Sequence, residues 1–271
     1  MRIRAGEQEK NMLTIRDYLV IKSNELIQSS RYQLSLQEQR IVLYLISKIK
    51  PEDIELKEYE FEIADFCRVC GIEPNGGSAY KHIKNVIKAL RDKSMWIKKE
   101  DGAETTLAWI DKVTMIANSG KIIVKMDDDM KPYLLQLRKR FTQYELLYTL
   151  AMKSQYSIRL YEILKSYEWQ GSVIFNIDEL KNTMFAEKYT RFPDFKRYVL
   201  DIAMREINDL SDIFVSYEII KEGRKYAKLS YIIETKEDVN EKMETLARID
   251  EVLNPTQTSL FEKVELDVTT I

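Results

Sequence analysis

The sequence predicts an α+β chain in which one order of elements occurs twice. Three observations predict it. A helix, a short strand, two further helices parted by a turn, and a β-ribbon follow one another between residues 36 and 126. The same order returns between residues 154 and 234. In each copy the last helix before the ribbon carries an apolar stripe at helical spacing. This is the order of a winged helix, in which the second and third helices make a helix-turn-helix and the ribbon is the wing. The expected organisation is an N-terminal extension over 1–35, a winged helix over 36–135 and a second over 136–236. An acidic, flexible tail over 237–271 follows.

Residues 1–35 are of mixed character, and the seven-residue spacing of Leu13, Val20, Ile27 and Leu34 is too short a series for a coiled coil. A helix is predicted over 36–49, with Ser35 and Glu38 as a capping box and Pro51 as its stop. The alternation Tyr59-Glu60-Phe61-Glu62-Ile63 predicts a strand, and 64–70 a short helix ending at Gly71. Glu73-Pro74-Asn75-Gly76-Gly77 reads as the turn. The helix expected over 78–93 stacks Ile83, Val86, Ile87 and Leu90 on one side. Strands at 95–100, 105–117 and 121–126 complete the first ribbon, and 131–152 is a bridge.

In the second copy a helix is expected over 154–168 and a strand over Val173 to Ile177. A second helix, capped by Asp178, reaches about 186. The polar stretch Glu187 to Arg191 then leads to Pro193, which suits the first turn of a helix running to 209. Phe195, Val199, Ile202, Ala203 and Glu206-Ile207 place its buried stripe, opposite a mixed face of Asp194, Arg197, Asp201, Arg205 and Asn208. Strands over 213–221 and 225–234 flank Glu222-Gly223. Arg40 to Tyr44 parallels Arg159 to Tyr161, and Glu60 to Ile63 parallels Ile174 to Ile177, as an internal duplication would leave them.

Net charge is −2, but it is unevenly spread. The tail holds nine acids and three bases, which leaves residues 1–236 at +4. No apolar run is long enough to span a bilayer, and the N-terminus lacks a signal-peptide core, so a cytoplasmic protein is expected. Cys67 and Cys70 form a C-x-x-C without a second ligand pair, and His82 is the only histidine. A four-ligand zinc site is therefore not expected, nor is a redox motif without its preceding strand. Two reduced thiols on a short helix are the expectation.

No enzyme motif completes itself. Gly71 and Gly76 have P-loop spacing, but Gly77-Ser78 follows where a lysine is required. A single histidine cannot supply the metal-holding pair of an origin-nicking enzyme, and His82 stands in no nucleophile motif. Asp127-Asp128-Asp129 reads as a solvated strand exit. No catalytic residue, cofactor or metal is expected.

Binding of DNA has positive support, because a groove-reading helix must present donors to phosphates and base edges. Lys81, Lys84, Lys88 and Arg91 gather on the face opposite the first stripe. Arg191, Lys196, Arg197 and Arg205 lie on or beside the second helix, and Lys221, Arg224 and Lys225 form the tip of its wing.

Several stretches carry a family likeness: KSNELIQSSRYQLSLQEQRIVLYLISKI (22–49), YSIRLYEILKSY (156–167) and RFPDFKRYVLDIAMREIN (191–208), followed by Lys221-Glu222-Gly223-Arg224. In these the chain resembles the iteron-binding initiator proteins of theta-replicating plasmids, over roughly residues 20–235. The resemblance implies two winged helices in successive major grooves of one repeated origin sequence, the iteron. It implies dominant base contacts from the helix Pro193 to Asn208, with Lys196 and Arg197 at basic positions, and a first domain that also dimerises. Initiation by monomers, autorepression by dimers, copy-number control and recruitment of the host initiator and helicase come with the same likeness. A transcriptional repressor with tandem winged helices and no initiator role is the alternative. In the tail, Gln257-Thr258-Ser259-Leu260-Phe261 resembles the peptide by which bacterial proteins dock on the replicative sliding clamp; Gln257, Leu260 and Phe261 would be its contacts, and chance is the competing reading.

Overall fold

The computed structural model describes residues 18–50, 52–69, 76–99, 101–116 and 119–253. Pro51, Cys70, Glu73 to Asn75 of the expected turn, and Gln257, Leu260 and Phe261 lie outside them.

The chain enters through β1 (Leu19–Ser23), α1 (Asn24–Ser29) and β2 (Ser30–Arg31), where an extension was expected. Val20, Leu26, Ile27 and Leu34 are buried, so residues 19–34 belong to the core. The side chain of Ser23 caps α1 by accepting from the Leu26 amide. α2 (Leu36–Ile46) starts at the expected capping box: Ser35 accepts from the Glu38 amide, and Glu38 accepts from the Ser35 amide. β3 (Glu58–Glu62), α3 (Ile63–Val69) and α4 (Gly76–Arg91) follow in the expected order.

The ribbon of the first copy departs from expectation. β4 (Ser94–Lys98) and β5 (Glu104–Ala108) form a hairpin that pairs with β2. β6 (Ile110–Ile116) and β7 (Lys121–Met126) form a second hairpin that pairs with β3. The single strand expected over 105–117 is thus two strands in two sheets, broken at Trp109. Trp109 is 1 % exposed and meets Tyr32 edge-on at 5.1 Å. Driving that indole and the adjacent Ile110 into the core turns the chain, and the alternation of buried and exposed side chains breaks there. The wing is β6–β7 alone, and β4–β5 is an inserted hairpin.

Beyond the wing, the acid run serves a local cap. Asp127 accepts from the Asp129 amide at 2.9 Å, and Asp128 lies between Lys125 at 2.9 Å and Lys131 at 3.1 Å. The expected bridge holds α5 (Lys131–Leu134), β8 (Phe141–Glu145) and α6 (Leu146–Ala151).

The second copy comprises α7 (Gln155–Lys165), β9 (Ser172–Asn176), α8 (Ile177–Thr183), α9 (Phe192–Phe195), α10 (Asp201–Leu210), β10 (Ile213–Glu222) and β11 (Lys225–Thr235). Asn176 caps α8, accepting from the Asp178 and Glu179 amides, where Asp178 was the expected cap. Its sheet runs β9-β11-β10, and that of the first copy runs β3-β7-β6. In each, the strand between the first two helices pairs with the second strand of the wing, so the duplication is one of topology as well as sequence.

The expected flexible tail begins instead with α11 (Val239–Leu253). It docks through Thr245 and Ile249, both buried, with Leu246, Val252 and Leu253 packed beside them. Lys236 anchors its approach, donating to the Asn208 and Ser211 carbonyls and to Thr245 Oγ1.

The two copies meet about an approximate two-fold axis. β1 and β8 are both five residues long and each leads into a six-residue helix. They pair antiparallel with Leu19 opposite Glu145, Ile21 opposite Gln143 and Ser23 opposite Phe141. At the ladder's ends the Asn24 amide donates to the Arg140 carbonyl (2.7 Å) and the Leu146 amide to the Tyr18 carbonyl (2.9 Å). These bonds exchange under a half-turn about Ile21–Gln143. Buried residues of both copies form one continuous apolar cluster.

Candidate nucleic-acid interface

α4 is a sixteen-residue helix whose core stripe behaves as its spacing requires. Ile83, Ile87 and Leu90 are buried and Val86 half-buried. Lys81, Lys84, Lys88 and Arg91 are all exposed on the other side. Asp92, just past the helix end, adds an acid to this face: Lys88 approaches it at 2.7 Å and Arg91 at 3.7 Å. The Lys88 ammonium holds the Asp92 carboxyl below its usual range. His82 lies beside the stripe, its Nε2 3.0 Å from Gln37 Oε1.

The equivalent helix of the second copy starts at Arg191, the N-cap residue, with Pro193 in the first turn. α9 passes through a π turn, Lys196–Leu200, closed by the Asp201 amide donating to the Lys196 carbonyl, and continues as α10. Phe195, Val199, Ala203 and Ile207 are fully buried. Arg197 and Arg205 are exposed on the far side, with Arg197 5.4 Å from the Tyr198 ring.

Two residues of that face are placed otherwise than the spacing suggests. Lys196 is half-buried; its ammonium lies 2.6 Å from Asp201 and bonds to Tyr217. Asp201 raises the pKa of Lys196, so the charge is held toward the protein. Residues five apart do not share a face of a regular α-helix, and the π turn brings this pair together. Asn208 leaves the mixed face altogether: its amide donates to the Val215 carbonyl at 2.9 Å, and its Oδ1 accepts from the Val215 amide at 2.7 Å.

The second wing reverses at Gly223, whose φ of 64° is the left-handed conformation glycine adopts freely. Lys221, Arg224 and Lys225 are exposed there. Lys225 reaches Asp178 at 3.1 Å and Lys221 stands 4.9 Å from the Tyr226 ring. Tyr226 also stacks on Phe192 at 4.4 Å, joining the start of the helix to the wing. Sequence reading placed Asp201 on the mixed face but missed Phe192, Tyr226 and Tyr217 as parts of this surface. Phe192 and Tyr226 are aromatic residues at the two element ends that must meet, which is the one signal that pointed to them.

Every expected basic residue of the described chain therefore lies on one of two helices or on the second wing, and all but Lys196 are exposed. Among the described residues no group of three His, Cys, Asp or Glu side chains comes together that could hold a metal, and no helix is long and apolar enough to cross a membrane. Cys67 is a buried free thiol in α3.

A family model described as "Initiator Replication protein, WH1" matches residues 19–165, and one described as "Initiator Rep protein, WH2" matches 176–233. The chain belongs to the plasmid replication initiator family. This initiator is 25 % identical over 267 residues to the "PI protein" of Escherichia coli, covering 84 % of the chain and 87 % of that relative. A "Replication initiation protein" of Escherichia coli is 24 % identical over 230 residues, covering 80 % of this chain and 70 % of its own. The solved WH1 domain of MSBI1.176, described as a replication protein isolated from a multiple sclerosis patient, is 20 % identical. It covers 37 % of the initiator and 79 % of that domain, at a TM-score of 0.28. The two family matches give the initiator two tandem winged-helix DNA-binding domains.

Proposed function

We propose that the chain binds repeated origin sequences, the iterons, as double-stranded DNA. In this reading α4 lies in one major groove and the α9–α10 helix in the next, with the second wing gripping phosphates beside it. One observation carries the reading: two units that share one sheet order each present exposed basic side chains on the helix before the wing, and an approximate two-fold axis relates them. Two such helices one turn of B-DNA apart read a site of about 20 bp. The phosphate contacts fall to Lys81, Lys84, Lys88, Arg91, Arg191, Lys221, Arg224 and Lys225, and base contacts to Arg197 and Arg205. Lys196 reads bases only after exchanging Asp201 for DNA.

The protein acts through binding energy, with no covalent step of its own. Bound copies help open the neighbouring DNA and recruit host replication proteins, and a dimer represses its own gene. Contact with the sliding clamp through Gln257, Leu260 and Phe261 belongs to the same proposal; equal clamp capture by wild type and by Leu260→Ala/Phe261→Ala removes it. The test of the whole is a gel-shift titration on the DNA flanking the gene. Specific binding to direct repeats of about 20 bp is expected. Binding confined to a single inverted repeat in a promoter turns the reading to a repressor.

A further inference from the structure

α2 and α7 occupy corresponding places in the two copies and share their length, caps and fifth residue. Each is eleven residues long, capped by a serine (Ser35, Ser154) and closed by a serine (Ser47, Ser166) whose hydroxyl donates three residues back, to the Tyr44 and Ile163 carbonyls. The fifth residue of each is an arginine, Arg40 or Arg159. Arg40 Nη2 donates to the Leu150 and Met152 carbonyls at 2.6 and 2.9 Å. Arg159 Nη2 donates to the Ser30 carbonyl at 2.8 Å, and its guanidinium stacks on Tyr32 at 4.6 Å. Met152 follows α6 and Ser30 follows α1, so the acceptors are equivalent too. Each arginine reaches across the approximate axis into the other copy.

The geometry points to Arg40 and Arg159 as paired straps that fix the separation and rotation of the two DNA-reading helices, and so the spacing of the half-sites the protein accepts. The inference rests on the DNA-binding reading above. The β1–β8 ladder and the shared apolar core join the halves, and two side-chain bonds on opposite sides of the ladder's axis resist rotation about it. Both guanidinium groups donate through Nη2, and Arg159, which is buried, is held further by its stacking on Tyr32. The arginines also lie on the helices against which α4 and α10 pack, so any slackening passes directly to the reading surface.

One base pair added between half-sites shifts one helix's target by about 3.4 Å and turns it by about 35°. Wild type is expected to lose affinity steeply, by about thirtyfold, for each such step away from the native spacing. Arg40→Met and Arg159→Met are expected to flatten that penalty to about threefold while leaving affinity for an isolated half-site unchanged. A spin-label pair carried at positions 84 and 205 supplies a reading without DNA: one narrow distance in wild type, a broadened one in each variant. Arg40 is half-buried, so Arg40→Lys, which keeps one donor and restores part of the narrow distribution, guards against a variant that does not fold. A spacing penalty and a distance distribution equal to wild type in the variants overturn the inference, as does an affinity loss that is the same for every spacing. If wild type shows no sequence-specific binding, the DNA-binding reading falls, and the distance distributions still decide whether the straps hold the two helices.

Discussion

Lys22 and Glu162 form an ion pair across the axis, each side chain 2 % exposed, and Tyr144 donates to the same carboxylate. Burial lowers the Lys22 pKa, and Glu162 opposes that shift. Removing one partner leaves the other charge buried and alone, so Lys22→Met is expected to cost about 3–5 kcal/mol in urea unfolding. A neutral loss there would mean the pair is not load-sharing in the fold. Burial also raises the pKa of Tyr32, Tyr144, Tyr161 and Tyr231 above 10, and pushes Tyr59 up to about 12. A tyrosine kept neutral in the fold but ionising at 10 when unfolded stabilises the protein below pH 10, and the contribution is lost as pH rises beyond it. Lys22 and Lys236, with lowered pKa, run the other way and favour folding as pH climbs toward 10.5. Melting temperature is therefore expected to fall only above pH 10, together with the appearance of tyrosinate absorbance; a decline between pH 7 and 9 contradicts this. At the reading surface, Arg197→Ala is expected to weaken iteron binding by about 1–3 kcal/mol and to relax selectivity at one base position. An unchanged gel-shift affinity removes Arg197 from the site. Residue spacing revealed the exposed bases but not where Lys196 and Asn208 point, because a π turn and a strand partner, neither local to the sequence pattern, decide both.

Elements carry the coupling between helix and wing in the second copy. Asn208 ties the end of α10 to β10 by two bonds, and Phe192 stacked on Tyr226 ties the beginning of α9 to β11. Asn208→Ala leaves the Val215 amide and carbonyl without these partners in a site where Val215 is 1 % exposed. The expected cost is about 1–3 kcal/mol of stability in urea unfolding, with weaker DNA binding because the wing no longer holds its angle to the helix. Full stability in that variant excludes the coupling. Elements with local signals were legible: the Ser35–Glu38 capping box, the α4 stripe and Pro193 all act as their chemistry dictates. The break at Trp109 was not, since both flanking runs are strand-like and only the joint burial of Trp109 and Ile110 reveals the turn. β1 and β8 were hidden because their pairing joins residues more than a hundred positions apart. α11 offered a readable stripe in Thr245, Ile249 and Val252, masked by the acids around it.

At the scale of the whole molecule, the apolar core runs through both copies, so the two reading helices belong to one body. The net charge of −2 conceals this surface, because nine acids against three bases lie beyond residue 236 and leave residues 1–236 at +4. Fold class and the doubled topology were legible because each copy repeats the same periodicities; the axis between them was not, as it resides in bonds between copies. Both basic helices are expected to engage one duplex together. A hydroxyl-radical footprint on the DNA flanking the gene, repeated across a salt titration, tests it most directly. Protection of two successive major grooves on one face is expected, with log affinity falling against log salt at a slope near about −5 for roughly six phosphates neutralised. Protection of a single groove, unchanged when Lys84 and Lys88 are replaced by alanine, would contradict it.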